Sequence, residues 1–351
     1  MYENRMRCVP CYIPDMRTLM TLVLAAAGAT GAFAAKTLEM YFIDVEGGQA
    51  TLIITPAGQT MLVDTGWRGY NGRDADRIAA AAKKVHIKKL DYVLITHYHR
   101  DHVGGAPQLI DRIPIETFID HGPNTEQARE PKEDYADYLR ILPRAQHLVV
   151  KAGDTVPLKG VDVRVVSSNG EVISTPLQGA GEQNEACAGA QQKEPDPTEN
   201  AHSLGFVLTW NNFRFLDLGD LTWNKELQLM CPVNRIGHID LFLVSHHGFD
   251  QSNSPQLVDA IHPRVAVMDN GARKGGSPSA WQIVHSAPGL QDLWQLHYAV
   301  EGGKDHNAPD PFIANLYEQC QGKYLRLTVR EDGSFTLLNS RNNFEKDYPA
   351  R

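Results

Sequence analysis

Apolar runs of four to seven residues alternate along the chain with polar stretches punctuated by Gly and Pro, and the apolar period switches between strand-like and helix-like. "LEMYFIDVEGGQATLIITPAGQTMLVDTGW" reads as short β segments separated by turns. "ADRIAAAAKKVHI" has helical spacing with basic residues near its end. "LDYVLITHYHRDH" is a buried strand delivering a polar tip into a loop, and "HVGGAPQLIDRI" starts the next helix. "ETFIDHG" is a further strand, and "EDYADYLRILP" a further helix. A second β-rich stretch holds "HLVVKAGDTVPL", "VDVRVVSS", "SLGFVLTW" and "FRFLDLGD", followed by "IDLFLVSHHG" and "RVAVMDNG". "YLRLTVREDGSFTLLNS" reads as a hairpin turning at "EDGS". Between these elements, positions 178–200 are polar, rich in Gly, Ala and Gln, and without apolar period, which predicts a long mobile loop.

Strands then helices, twice over, predict an α/β protein: an αββα sandwich of two mixed β-sheets with helices on the outer faces. Candidate ligands for a metal fall in both halves, so one domain over 35–351 is expected rather than two. The chain of 351 residues is long enough for this.

The N-terminus changes the picture of where this domain works. "MRTLMTLVLAAAGATGAFAAK" has a basic residue, Arg17, an apolar stretch from Leu19 to Ala29, and small residues ending at Ala34. This is the three-part pattern of a secretory signal peptide, here 1–34, with Met16 as an alternative start. The stretch is too short and too rich in Ala and Gly for a membrane span. The expectation is an exported protein, periplasmic or secreted, with no transmembrane anchor once the signal is cleaved. Composition is that of a soluble globular protein, and a formal charge of -8 gives no sign of stable nucleic-acid binding. Cys8 and Cys11 leave with the signal. Cys187, Cys231 and Cys320 remain, enough for one disulfide and one thiol in an oxidising compartment, but not for an all-cysteine zinc site.

The chemistry concentrates at strand ends. "HYHRDH" places His97, His99, Asp101 and His102 within six positions, directly after an apolar strand. Zinc needs nitrogen, oxygen or sulfur donors held by short rigid segments, and a strand running into a loop supplies that rigidity. His97 and His99 can point to one spot, and Asp101 and His102, past the bend, to a second. Asp64 in "MLVDTG", Asp220 in "LDLGD", and His246 and His247 in "SHHG" end other apolar strands. His202 in "ENAHSLG" precedes one.

With these elements in this order, residues 38–270 resemble the metallo-β-lactamase-fold hydrolases. "DVEGGQATLI", "EN…SLGFVL" and "LVSHHG" are especially similar to the metallohydrolase domain of ComEC-type DNA-uptake channels and to phosphorylcholine esterases. The resemblance implies two divalent metal ions, zinc or else manganese. His97 and His99 would hold the first, Asp101 and His102 the second, and Asp220 would bridge them. If "LVSHHG" stays a regular strand, His246 and His247 point to opposite faces, so only one binds directly. His247 is taken as the ligand and His246 as the residue that touches substrate. Where many members carry a third histidine for the first metal, this chain offers His202, with Asn200 or Ser203 as alternative lining residues. Asp64 would orient a ligand through a hydrogen bond.

Two cations about 3.5–4 Å apart can activate a hydroxide between them and stabilise a developing oxyanion, so no Ser or Cys nucleophile is required. Asp101 would double as a proton acceptor. Hydrolysis is the expected reaction, with a small-molecule or phosphodiester substrate. The branch resembled favours the phosphodiester, and Arg273 and Lys274 in "DNGARKGGSP" are cations suited to phosphate. The rivals are a lactone or β-lactam hydrolase and, from another class, a non-catalytic envelope ligand-binding protein on the same fold.

Overall fold

The computed structural model describes Met1 and residues 36–351; the expected signal peptide, with Met16, Cys8 and Cys11, lies outside the described residues. From residue 36 onward the chain belongs to one compact unit. Its first half supplies strands β1 (Leu38–Phe42), β2 (Thr51–Ile54), β3 (Thr60–Val63), β4 (Leu90–Leu94), β5 (Ile115–Asp120) and β6 (Gln146–Val149). Then follow β7 (Asp162–Ser168), β8 (Glu171–Val172), β9 (Gly205–Trp210), β10 (Phe213–Asp217), β11 (Leu241–Leu243), β12 (Val265–Met268), β13 (Asp292–His297) and β14 (Ile313–Asn315). The chain closes with β15 (Leu325–Val329), β16 (Phe335–Asn339) and β17 (Glu345–Tyr348).

One sheet runs β17-β16-β15-β1-β2-β3-β4-β5-β6 and the other β14-β13-β12-β11-β10-β9-β7-β8. Both are mixed: β3 to β6 are parallel, as are β10 to β14, and the remaining pairs are antiparallel. Side chains alternate across a strand, so each sheet buries both faces. Leu38, Met40 and Phe42 of β1 face inward with Leu94 and Ile119, against Phe206, Leu208, Phe215, Val265, Val267 and Trp294 of the second sheet. Tyr41, Val93 and Phe118, one position displaced, face outward beneath α1 (Arg73–Lys84), α3 (Ala106–Leu109) and α4 (Arg129–Ile141). Val207, Leu216 and Phe242 pack outward on α5 (Trp223–Met230), α6 (Pro255–Ile261) and α7 (Pro278–His285). These four layers are the expected αββα sandwich.

Two local expectations need correction. The segment read as one helix after "HYHRD" is two short ones, α2 (Arg100–Val103) and α3, because Gly105 N donates to Gly66 O and Asp101 O accepts from Gln49 N, so the helical ladder is interrupted between them. The 178–200 segment has no strand, as expected, but it is tied down. Cys187 is joined to Cys231, and the Asn184 amide donates to Met230 O and Gln256 O.

Candidate metal centre

In each sheet the parallel strands end at the same edge, and an α/β sheet presents its chemistry at the carboxyl ends of such strands. Asp64 follows β3, and the 97–102 segment follows β4. Asp220 follows β10, His246 and His247 follow β11, and Asp269 follows β12. Past Leu243 the strand stops and Ser245–Gly248 form a tight turn in which His246 and His247 both have φ of 53°. Two successive left-handed residues that are not glycine are costly and persist only where the surroundings hold them. Here His246 N donates to Gly219 O and Gly276 N to His247 O. Because the strand does not stay regular, both imidazoles turn inward, with ring centres 6.2 Å apart.

The donor atoms converge around Asp220. Single donor atoms of Asp101, His102, Asp220 and His247 lie within 4.8 Å of one another, and all four residues are buried. His102 Nε2 is 3.1 Å from His247 Nε2, 3.2 Å from Asp220 Oδ2 and 3.3 Å from Asp101 Oδ2. On the other side of Asp220, its Oδ2 is 3.4 Å from His246 Nε2 and 3.8 Å from His97 Nε2. His97 Nε2 and Asp220 Oδ1 are buried with no hydrogen-bond partner among the described residues. Buried polar atoms are normally paired, so orphans aimed at one point fit a cation.

Each of the five imidazoles is anchored through one nitrogen, which fixes the tautomer that the other presents. Nδ1 of His97 is held by Thr96 Oγ1 at 3.0 Å, Nδ1 of His102 by Asp64 at 2.7 Å and Nδ1 of His247 by Asp269 at 3.1 Å. Nδ1 of His246 faces Ser252 Oγ at 3.4 Å. His99 is reversed: its Nε2 is bound to Glu126 at 2.9 Å, leaving Nδ1 as its donor.

Residues 43–181 match the metallo-β-lactamase superfamily model, and this span contains the whole 97–102 motif within the four-layer sandwich. Over that span the chain is similar to the metallo-β-lactamase superfamily. It is 24% identical to Recombination protein 2 of Haemophilus influenzae over 76% of this chain but only 27% of that protein. It is 26% identical to a UPF0173 protein of Pyrococcus abyssi, covering 67% of this chain and 86% of the relative. A UPF0173 metal-dependent hydrolase of Cupriavidus necator is 23% identical over 69% of this chain and 78% of its own length. Among solved structures, a metallo-β-lactamase fold protein of Bacillus subtilis aligns over 74% of this chain and 96% of its own, at 9% identity and a TM-score of 0.46.

Within the sandwich, not every expected residue reaches the centre. His202 does not: its Nδ1 faces Asn169 at 3.2 Å and its ring lies 6.4 Å from that of His121. Glu199–His202 form a 3₁₀ turn, in which residues three apart share a face. Glu199 and His202 therefore turn towards His121, and Asn200 turns to the cluster, its Nδ2 3.5 Å from His246 Nε2. Arg273 is also elsewhere, exposed and paired with Glu318 at 2.5 Å. Lys274, its neighbour, is in the centre: it bonds Asp101 and Gly47 O, with the Trp67 and Phe249 rings 5.3 and 5.7 Å from its ammonium. Asp64 touches no other donor of the cluster; besides His102 it accepts from Thr96 N at 2.8 Å and Thr96 Oγ1 at 2.6 Å. Sequence reading missed Glu126 and Asp269. Asp269 had a signal, as the polar residue ending the apolar run "VAVM"; Glu126, in a loop far from any strand end, had none.

The electrostatics suit cation uptake. Burial opposes charge on Asp101, but Lys274 and His102 outweigh it and hold the carboxyl well below its ordinary range. Burial likewise opposes charge on Asp220, and His102, His246 and His247 overcome it. Burial and His102 keep His97 well below its usual value, and burial takes His246 down to about 4, so both are neutral donors. Burial and Lys274 oppose charge on His247, but Asp220 and Asp269 push it up to about 9. A cation entering there displaces a proton.

Proposed function

We propose that this chain is an exported dinuclear-metal hydrolase whose substrate is a phosphodiester. The observation that carries the reading is the ring of nitrogen and oxygen donors on both sides of Asp220, buried except for His99, each imidazole anchored through its other nitrogen. Asp101, His102, His247 and Asp220 would hold the second ion. His97, His99 and Asp220 would hold the first, with His246 in the place expected of His202. Bound there, two divalent cations, zinc in this proposal, supply Lewis acidity and lower the pKa of water to near neutrality.

The chain's own residues do the rest. Lys274 places an ammonium beside Asp101 at the edge of the cluster, where it can orient a phosphoryl oxygen. Asn200 offers an amide donor on the opposite side, next to His246. Lys274 and His102 keep Asp101 ionised, so that it would serve as an anionic ligand for the second ion. Export is supported by the Cys187–Cys231 pairing, because disulfides persist in oxidising compartments. Among the described residues no helix is long and apolar enough to cross a membrane.

The test is metal content measured alongside hydrolysis of a chromogenic phosphodiester, a lactone and a cephalosporin. Two ions per chain and preferential phosphodiester turnover are expected. Asp220→Ala should lose both ions together, His247→Ala the second and His246→Ala the first. Wild-type protein that ignores the phosphodiester but opens a lactone or β-lactam ring would move the substrate to that class. Metal-free protein that zinc does not rescue would leave a binding role. Export is checked separately by N-terminal sequencing, which should find a start near residue 35.

A further inference from the structure

A second cluster of donors lies outside the centre just described. Asp44, on the loop from β1 to β2, and His297, at the end of β13, are buried; Cys320 lies on the loop between β14 and β15 and is partly buried. Asp44 Oδ1 is 2.8 Å from His297 Nε2, and Asp44 Oδ2 is 3.1 Å from Cys320 Sγ. Cys320 Sγ is 3.9 Å from the same His297 nitrogen and 3.7 Å from Glu46 Oε1. The hydrolytic reading uses none of these groups.

A carboxylate, an imidazole and a thiol converging from three distant segments is the donor set of a zinc-type site. The three atoms lie within 4.8 Å of one another. A cation bonded at about 2.0–2.3 Å to each donor needs ligand separations no greater than about twice that. Arg77 bonds Asp44 Oδ2 at 3.1 Å and Glu46 Oε1 at 3.1 Å, and Arg73 pairs with Glu46 at 2.6 Å. Two guanidinium groups disfavour a hard cation held by carboxylates alone. A thiolate adds negative charge and selects a softer metal. We propose that Asp44, His297 and Cys320 form a separate mononuclear site for a thiophilic divalent cation such as zinc. Its place in the fold gives it a purpose. The loop carrying Asp44 continues to Gly47, whose carbonyl accepts from Lys274 at 2.7 Å, and to Gln49, whose N–H donates to Asp101 O at 3.2 Å. Metal at Asp44 therefore pins the loop against which the hydrolytic centre is built.

Cobalt distinguishes this site, because the dinuclear centre contains no sulfur. The full chain with Cys8→Ser and Cys11→Ser, loaded with cobalt, should show a thiolate-to-cobalt charge-transfer band. Cys320→Ser and His297→Gln should each abolish the band and lower metal content by one ion per chain, while Asp220→Ala should keep it. The ligand-field bands of the dinuclear centre, retained in Cys320→Ser, report that the variant is folded. Without any substitution in the site, zinc should slow the reaction of Cys320 with a thiol reagent by at least tenfold. A parent protein with no such band, a band that survives Cys320→Ser, or a thiol that zinc does not protect would each overturn the proposal.

Discussion

At Asp64 a single oxygen, Oδ2, accepts from Thr96 Oγ1 and faces His102 Nδ1, and the residue holds this place at a φ of 58°. Asp64→Asn keeps the size but puts an amide N–H₂ among groups that all donate. His102 then loses the acceptor that selects its tautomer, and second-ion affinity should fall about 10- to 100-fold, read by competition with a chelator. The same residues show what single positions disclose. His97, His99, Asp101 and His102 are legible because one short segment carries all four. His202 misleads because the choice between it and Asn200 depends on a turn of three residues, which no spacing rule displays. Glu126 is invisible because it meets His99 only through a loop that the fold carries back. Protonation adds a prediction at this scale. His247 stands at about 9 without metal and must lose its proton to bind, so zinc uptake should release protons and weaken steadily in acid. Calorimetry in buffers of different ionisation enthalpy reads the release directly.

Among elements, the strands with period-two alternation and the amphipathic α1 and α4 were readable, whereas connections were not. Counting cysteines allows one disulfide but does not choose the pair; the choice follows from α5 bringing Cys231 under the 178–200 segment. That bridge closes a separation of 44 residues, and a loop of that order contributes about 4 kcal/mol in the chain-entropy account. Cys187→Ala/Cys231→Ala should therefore lower the unfolding midpoint, and reductant should do the same to wild type but not to the variant. Helix α6 has a different dependence. The two residues that lead into it are held by Glu226 of α5, which accepts from Asn253 N at 2.8 Å and Ser254 N at 2.7 Å, and burial pushes this carboxyl up to about 7. The folded state then binds the proton more tightly than the unfolded chain, whose Glu titrates near 4.5. Stability contributed by this group is complete below that value and is lost as pH rises towards 7. Glu226→Gln should flatten denaturant midpoints across this window, and an unchanged slope would show that the carboxyl is already ionised.

For the whole molecule, the sandwich was legible from the order of elements, but the pairing that closes it was not. The final hairpin could be read from "EDGS", yet nothing local says that β15 lies beside β1. Leu38 pairs with Val329 and Phe42 with Leu325, so the beginning and end of the domain share one ladder in the middle of the nine-stranded sheet. That closure has a consequence for how the protein comes into being. Every residue of the candidate metal centre is synthesised before Leu325, but the sheet bearing His97 to His102 lacks three of its nine strands until residues 325–348 arrive. Contacts so distant along the chain make folding slow and leave apolar edges unpaired in the interim. A chain ending at residue 324 should thus aggregate rather than bind metal, even though it retains every proposed ligand of both sites, and light scattering during refolding would show it. On this account metal uptake waits on the pairing of β15 with β1 and not on the appearance of the ligands.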